Sequence, residues 1–245
     1  DYSHSTAFMR SYPSYIINDG NGSAGRNSSD ALTLSETTTV NYRWALNDDH
    51  SLNFLLGQEA VDYQSTGFQV ITRGQANDKL TNVTSGTRAS SWADSNDSYS
   101  YLSFFFRGEY NYKDLYYAEV ATRTDASSRF GKGNNSAIFP SVSAGWRVSR
   151  EKFMERTQSW LSDLKLRASW GINGNDQIDN NAIYNLYYTN MSNGSYNFNG
   201  DGATVVPGVQ KDRSGNNDLK WEETKQLNFG IDAAFFDARL GVTLD

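Results

Sequence analysis

The chain has 245 residues, with Lys+Arg 22 against Asp+Glu 28 and a net charge of -6. No basic run interrupts that balance, which argues against nucleic acid and anionic lipid headgroups as partners. Zero cysteines exclude a disulfide framework, a Cys-held zinc and thiol catalysis. A mean hydropathy of -0.65 leaves no stretch near the ~18 apolar residues of a membrane helix. The first residues are neither basic nor apolar enough for a signal peptide, so a mature or excised chain is expected. Aromatic residues nevertheless reach 14%, with 20 Gly and only 3 Pro, a composition that suits long strands.

In chain order, Gly20–Gly25 reads GNGSAG, a literal GxGxxG. A dinucleotide site needs that run to open a helix after a buried strand. Here a Ser/Asn-rich stretch follows, so a loop is expected. Period-2 alternation then takes over. Residues 39–46 set Val40, Tyr42, Trp44 and Leu46 against Thr39, Asn41, Arg43 and Ala45. A short turn, Asn47–His50, leads to a strand over 51–64, and a long polar stretch follows over 65–98.

From Ser100 to Tyr112 one face reads Leu102, Phe104, Phe106, Gly108, Tyr110, Tyr112, and the other Ser103, Phe105, Arg107, Glu109, Asn111. Lys113-Asp114 is a tight turn. Tyr116, Ala118, Val120 and Thr122 then alternate with Tyr117, Glu119, Ala121 and Arg123. After a polar loop over 126–138, Phe139-Pro140-Ser141 restarts the pattern. Arg150–Arg156 is expected as a helical connector. Leu164, Leu166, Ala168 and Trp170 mark the next strand, an Asn/Gly-rich stretch fills 173–220, and Leu227, Phe229, Ile231, Ala233 and Phe235 mark another before a turn at Phe236-Asp237.

These strands run longer than the 5–6 residues usual in soluble domains, and about 9–11 tilted residues cross a bilayer core. Short and long connections alternate, apart from the medium length of 150–162, as in outer-membrane barrels with trimmed periplasmic turns and elaborated outer loops. Aromatics gather near the short turns, where an interface girdle belongs: Trp44, Tyr110, Tyr112, Tyr116, Phe235 and Phe236. The competing reading is a soluble sandwich, but its inward positions should be apolar, and here they are charged. The expected fold class is all-β, an antiparallel up-and-down transmembrane β-barrel.

Catalytic signals are weak. His4 and His50 lie in different segments without partners at ligand spacing, and both are expected to face solvent. The Asp/Asn-rich runs at 93–98 and 173–181 could hold calcium through loop oxygens, but neither has EF-hand spacing and solvated loop is the heavier reading. Asn-x-Ser/Thr triplets at Asn82 and Asn193 arise by chance in so Asn- and Ser-rich a chain. No nucleophile, base and oxyanion donor assemble, so an enzyme and a cofactor are not expected.

Four separated stretches carry a family resemblance. Residues 116–154 (YYAEVATRTDASSRFGKGNNSAIFPSVSAGWRVSREKFM), 160–175 (WLSDLKLRASWGINGN), 219–245 (LKWEETKQLNFGIDAAFFDARLGVTLD) and 50–60 (HSLNFLLGQEA) resemble the SusC/RagA-like branch of TonB-dependent outer-membrane transporters. The resemblance implies a barrel of about 22 strands with a plugged lumen, residues 1–245 being part of its wall. It implies import of a glycan or oligopeptide, energised by the TonB complex, with a SusD-like lipoprotein as partner and lipid around the barrel. The family's plug, TonB-contacting segment and N-terminal domain have no counterpart in these residues.

On that reading Arg43, Arg107, Glu109, Glu119, Arg123, Asp125 and Asp232 face the lumen or plug. Extracellular loops are expected at 18–30, 65–98, 126–138 and 173–220, and Trp92, Tyr196 and Phe198 are candidates for stacking on substrate. Arg in place of lipid-facing Phe104 or Leu166 should cost about 2–4 kcal/mol near the midplane, with a milder effect at Ser103. The alternatives are a surface-exposed carbohydrate-binding β-protein and a plug-less outer-membrane barrel.

Overall fold

The structure, a computed structural model, describes residues 1–12, 22–188, 195–196 and 206–245. Among the described residues nine strands form one antiparallel sheet: β1 (Tyr2–Ser11), β2 (Gly22–Ala45), β3 (His50–Gln75), β4 (Arg88–Tyr112), β5 (Tyr116–Ser127), β6 (Ser136–Arg147), β7 (Leu161–Asn175), β12 (Glu222–Phe235) and β13 (Leu240–Leu244). Their order in the sheet is their order in the chain, so every connection joins neighbours. The order has two ends, β1 and β13, and the sheet is open. Between β7 and β12 lie two short ribbons, β8 (Leu186–Tyr188) with β11 (Gln210–Arg213), and β9 (Ser195–Tyr196) with β10 (Val206–Pro207).

The chain resolves into two units, Asp1–Glu36 with Val61–Ser100, and Thr37–Ala60 with Tyr101–Asp245. In the first, β1 pairs with β2 from Tyr2↔Leu32 to Ser11↔Ser23. Tyr63 stacks on Tyr99 at 4.8 Å. The connection after β3 closes through Thr87 N donating to Arg73 O at 2.9 Å.

In the second unit, registers that hold across β4 to β12, with one shift between Ala234 and Phe235, align the alternation of one strand with the next. Glu109↔Glu119, Glu119↔Ser143, Ser143↔Ser169 and Ser169↔Asn228 run across one face. Tyr110↔Ala118, Ala118↔Ala144, Ala144↔Ala168 and Ala168↔Phe229 run across the other. The apolar face is bare: Phe104, Val120, Val142, Leu166, Leu227, Phe229 and Ile231 are all exposed. The turn between β4 and β5 has positive φ at both Lys113 and Asp114, 55° and 52°, the mirror-type turn that matches strand twist. Asn111 steadies it, its side chain bonding Asp114 N at 3.0 Å and Asp114 Oδ1 at 2.6 Å.

Two of the expected loops need correction. The stretch 65–98 is mostly strand: β3 runs to Gln75 and β4 starts at Arg88, leaving only 76–87 as connection. Strand β2 likewise begins at Gly22, inside the expected 18–30 loop, and β1 carries no alternation that marks it in the sequence. Period-2 alternation shows in a sequence only where one face is apolar. Ser, Thr, Asn and Asp on both faces hide a strand whose backbone pairing is intact. The expected helical connector forms as short 3-10 turns, Val148–Arg150 and Lys152–Thr157.

Candidate functional site

The polar face of the second unit carries its charges in linked groups. At one end Arg43 Nε donates to Asn53 Oδ1 at 3.1 Å, and Asn53 Nδ2 donates to Glu109 Oε2 at 3.3 Å. Arg107 Nε lies 3.3 Å from Glu109 Oε1. This cationic company matters because Glu109 and Glu119 sit directly opposite across β4 and β5, a like-charge pairing that is otherwise unfavourable. On β7 and β12, Arg167 grips Asp232 with two bonds, 2.7 and 3.2 Å.

Arg123 is the hub of the middle of this face. Its Nη2 reaches Glu59 Oε2 at 2.6 Å and Ser103 Oγ at 2.9 Å, and its Nε reaches Asp125 Oδ1 at 2.5 Å. Asp125 is buried, so the guanidinium supplies the compensation that a desolvated carboxylate requires. The stem beneath is unusual for a polar face. Phe105 lies under Arg123, the guanidinium carbon 5.5 Å from the ring centre. The ring fits because Gly57 faces it, and a Cβ there would collide with the ring.

A second junction forms where the 128–135 connection meets the long 176–221 connection. Ser127 Oγ donates to Asp176 Oδ2 at 3.0 Å, and Arg129 Nη1 lies 3.1 Å from the same oxygen. Arg129 Nε donates to Asn180 Oδ1 at 2.6 Å. Burial pushes the Asp176 carboxyl up from its ordinary value. Beside this polar group Phe130, Phe139 and Trp221 form a buried apolar cluster, and Trp221 Nε1 donates to Asn135 O at 3.2 Å.

At the short-turn end the aromatic row continues through Tyr112, Tyr116 and Trp146, stacked at 6.3 and 6.4 Å. Tyr116 Oη and Trp146 Nε1 both donate to Glu151 Oε1, at 2.6 and 3.1 Å, so each ring keeps its polar tip toward the connector. This geometry suits a membrane–water interface.

Among the sequence candidates, Arg43, Arg107 and Glu109 come together, as do Arg123 and Asp125, while Asp232 joins Arg167 and Glu119 lies across from Glu109. Trp92 needs correction: it stands on strand β4, 71% exposed, and not on a loop. Tyr196 is exposed on β9, and Phe198 lies outside the described residues. His50 does not face solvent freely; it lies 4.6 Å from the Tyr112 ring and its Nδ1 is 2.7 Å from Tyr110 Oη. The run at 93–98 is strand, not loop. In the run at 173–181, Asp176 is engaged by Arg129 and Asp179 by Arg213 at 3.1 Å. Glu59, Ser103 and Asp176 are partners of these arginines that sequence reading missed, because each lies about 20 to 64 positions from its cation in the chain.

A two-faced antiparallel sheet with a bare apolar side, a charged side and an aromatic row at its short-turn end defines a membrane β-barrel wall. The family model "TonB dependent receptor-like, beta-barrel" matches residues 1–245, and the chain belongs to that family. It is 34% identical over 218 residues to TonB-dependent receptor P39 of Formosa agariphila, covering 84% of this chain and 19% of the relative. It is 31% identical over 197 residues to TonB-dependent receptor SusC of Bacteroides thetaiotaomicron, covering 80% and 19%. The solved RagAB peptide transporter superposes with a TM-score of 0.88 at 29% identity, covering 99% of this chain and 26% of that one. The chain thus spans about a fifth of the length of the curated relatives it matches.

Proposed function

We propose that this chain is part of the wall of an outer-membrane barrel that imports a glycan or an oligopeptide. Import is energised through TonB and works with a SusD-like surface lipoprotein. The observation that carries the reading is the division of one sheet into a bare apolar face and a face of linked charges. Water would drive seven exposed large apolar side chains into a core; hydrocarbon would not. The family membership supports TonB coupling, and the likeness to SusC and RagAB supports a lipoprotein partner and a nutrient of oligomeric size.

On this reading Arg43, Arg107, Glu109, Glu119, Arg123, Asp125 and Asp232 line the lumen beside the plug. Tyr196 is a candidate for stacking on substrate, and so are Tyr184 and Tyr187, exposed on the same long connection. Trp92 stays exposed on its strand and is a candidate for contact with substrate or lipoprotein.

The test is deletion of the complete receptor gene, followed by growth on a panel of single glycans and defined peptides. Loss of growth on one class, restored by the intact gene and not by a version lacking its TonB-contacting segment, is expected. Unchanged growth on every nutrient, or recovery of the full protein in the soluble fraction without detergent, would overturn the proposal.

A further inference from the structure

The 128–135 connection grips the 176–221 connection at both of its roots. At the first root Arg129 holds Asp176 and Asn180 with different nitrogens of one guanidinium, 3.1 and 2.6 Å, and Tyr101 lies under it, 5.8 Å from guanidinium carbon to ring centre. The pair is shielded, with side-chain exposures of 16% and 10%. At the second root Trp221 is buried against Phe130 and Phe139, at 5.4 and 5.3 Å between ring centres. Between the two grips Asn134 Nδ2 donates to Asn217 O at 3.3 Å. Gly131 lets that carbonyl approach, for a Cβ there would lie 2.7 Å from it.

We propose that the 128–135 connection is a two-point clamp that sets the position of the described parts of the long connection, 176–188 and 206–221, with Arg129 as its positioning residue. Its existence rests on these contacts alone; its role in import rests on the function proposed above. The physical argument is one of entropy and shielding. A long connection explores many conformations unless its roots are fixed, and two independent grips of different chemistry fix both position and direction. An exposed ion pair would be a weak grip that salt dissolves. A shielded guanidinium with two acceptors is not, because breaking it strands a charge. Lysine cannot replace it, since one ammonium lacks the planar fork that reaches Asp176 and Asn180 together.

The absence of cysteine in this chain makes the test direct. In the complete receptor, with any cysteines elsewhere replaced, spin labels at Lys132→Cys and Lys211→Cys report the distance between the clamp and strand β11. The parent is expected to give one narrow distance distribution, unchanged by Arg156→Gln on the far connector. Arg129→Gln and Trp221→Ala are each expected to broaden it about twofold, and Arg129→Lys not to restore it. If Arg129→Gln fails to fold, Asp176→Asn, which keeps the shape and removes the charge, carries the same expectation. A distribution that stays narrow in both the first-root variant and Trp221→Ala overturns the clamp. Uptake is read separately: a broadened distance with unchanged uptake keeps the clamp and removes its role in import.

Discussion

The two faces of β12 differ by one residue in the chain and by solvent in the fold. Leu227, Phe229 and Ile231 stand bare on one side, while Asn228 and Asp232 stand on the other with Arg167. Among the described residues the apolar face of β12 has no packing partner, which is what the proposed apolar surrounding of lipid would accommodate. The charged face tolerates Glu59, Asp125 and Asp232 because each has a guanidinium within 2.7 Å. One face is selected by its solvent and the other by its pairing.

The sharpest way to break that comparison is Phe229→Arg, on the side chain that is 67% exposed. In the complete receptor refolded into lipid vesicles, it is expected to cost about 2–4 kcal/mol by urea titration. Next in size is Arg123→Met, which leaves Glu59 and Asp125 without a cation and should cost about 1–3 kcal/mol. Adding Glu59→Gln and Asp125→Asn should recover part of that loss in the same titration. Gly57→Ala should cost about 1–2 kcal/mol by forcing Phe105 aside, and Phe105→Leu should relieve it.

Asn228→Arg, one position from Phe229 but on the polar face, should stay within about 0.5 kcal/mol. Equal losses at 228 and 229 would end the face assignment. Ser103, the control the alternation suggests, is unsuitable: it is 1% exposed and bonded to Arg123, so Arg there would crowd a second cation into a filled site.

The smallest effect belongs to neither face but to the turn that joins β4 and β5. The Asn111 amide and then Arg150 hold the Asp114 carboxyl below its ordinary value. A carboxyl depressed in the fold stabilises above its unfolded pKa, and the benefit fades as pH falls through the folded value. The protection factors of the Lys113 and Leu115 amides, exchange rates corrected for the intrinsic effect of pH, should therefore hold at neutral pH and fall below about pH 4. Protection that falls at higher pH instead would reverse the sign and remove Asp114 from the turn's support.

Legibility followed apolar contrast. Strands β4, β5, β7 and β12 were readable because Phe104, Val120, Leu166 and Phe229 alternate with polar neighbours. Strand β1 and the polar halves of β2, β3 and β4 were not, since Ser, Thr and Asn occupy both of their faces. The seven charged candidates were legible as a face. Their partners were not, because Glu59 lies 64 positions from Arg123 and Asp176 lies 47 from Arg129.

The sequence by itself determined the all-β class, the face of each apolar strand, the tight turn at Lys113-Asp114 and, through four motifs, the family. Those features are local, set by period-2 alternation and turn chemistry within a few residues. Only the tertiary structure decided which carboxylate each arginine holds, why Phe105 can sit on a charged face, and that Arg129 and Trp221 tie one short connection to both roots of a long one. Pairing across strands depends on register. Register is a property of the whole sheet, invisible in any single stretch of chain.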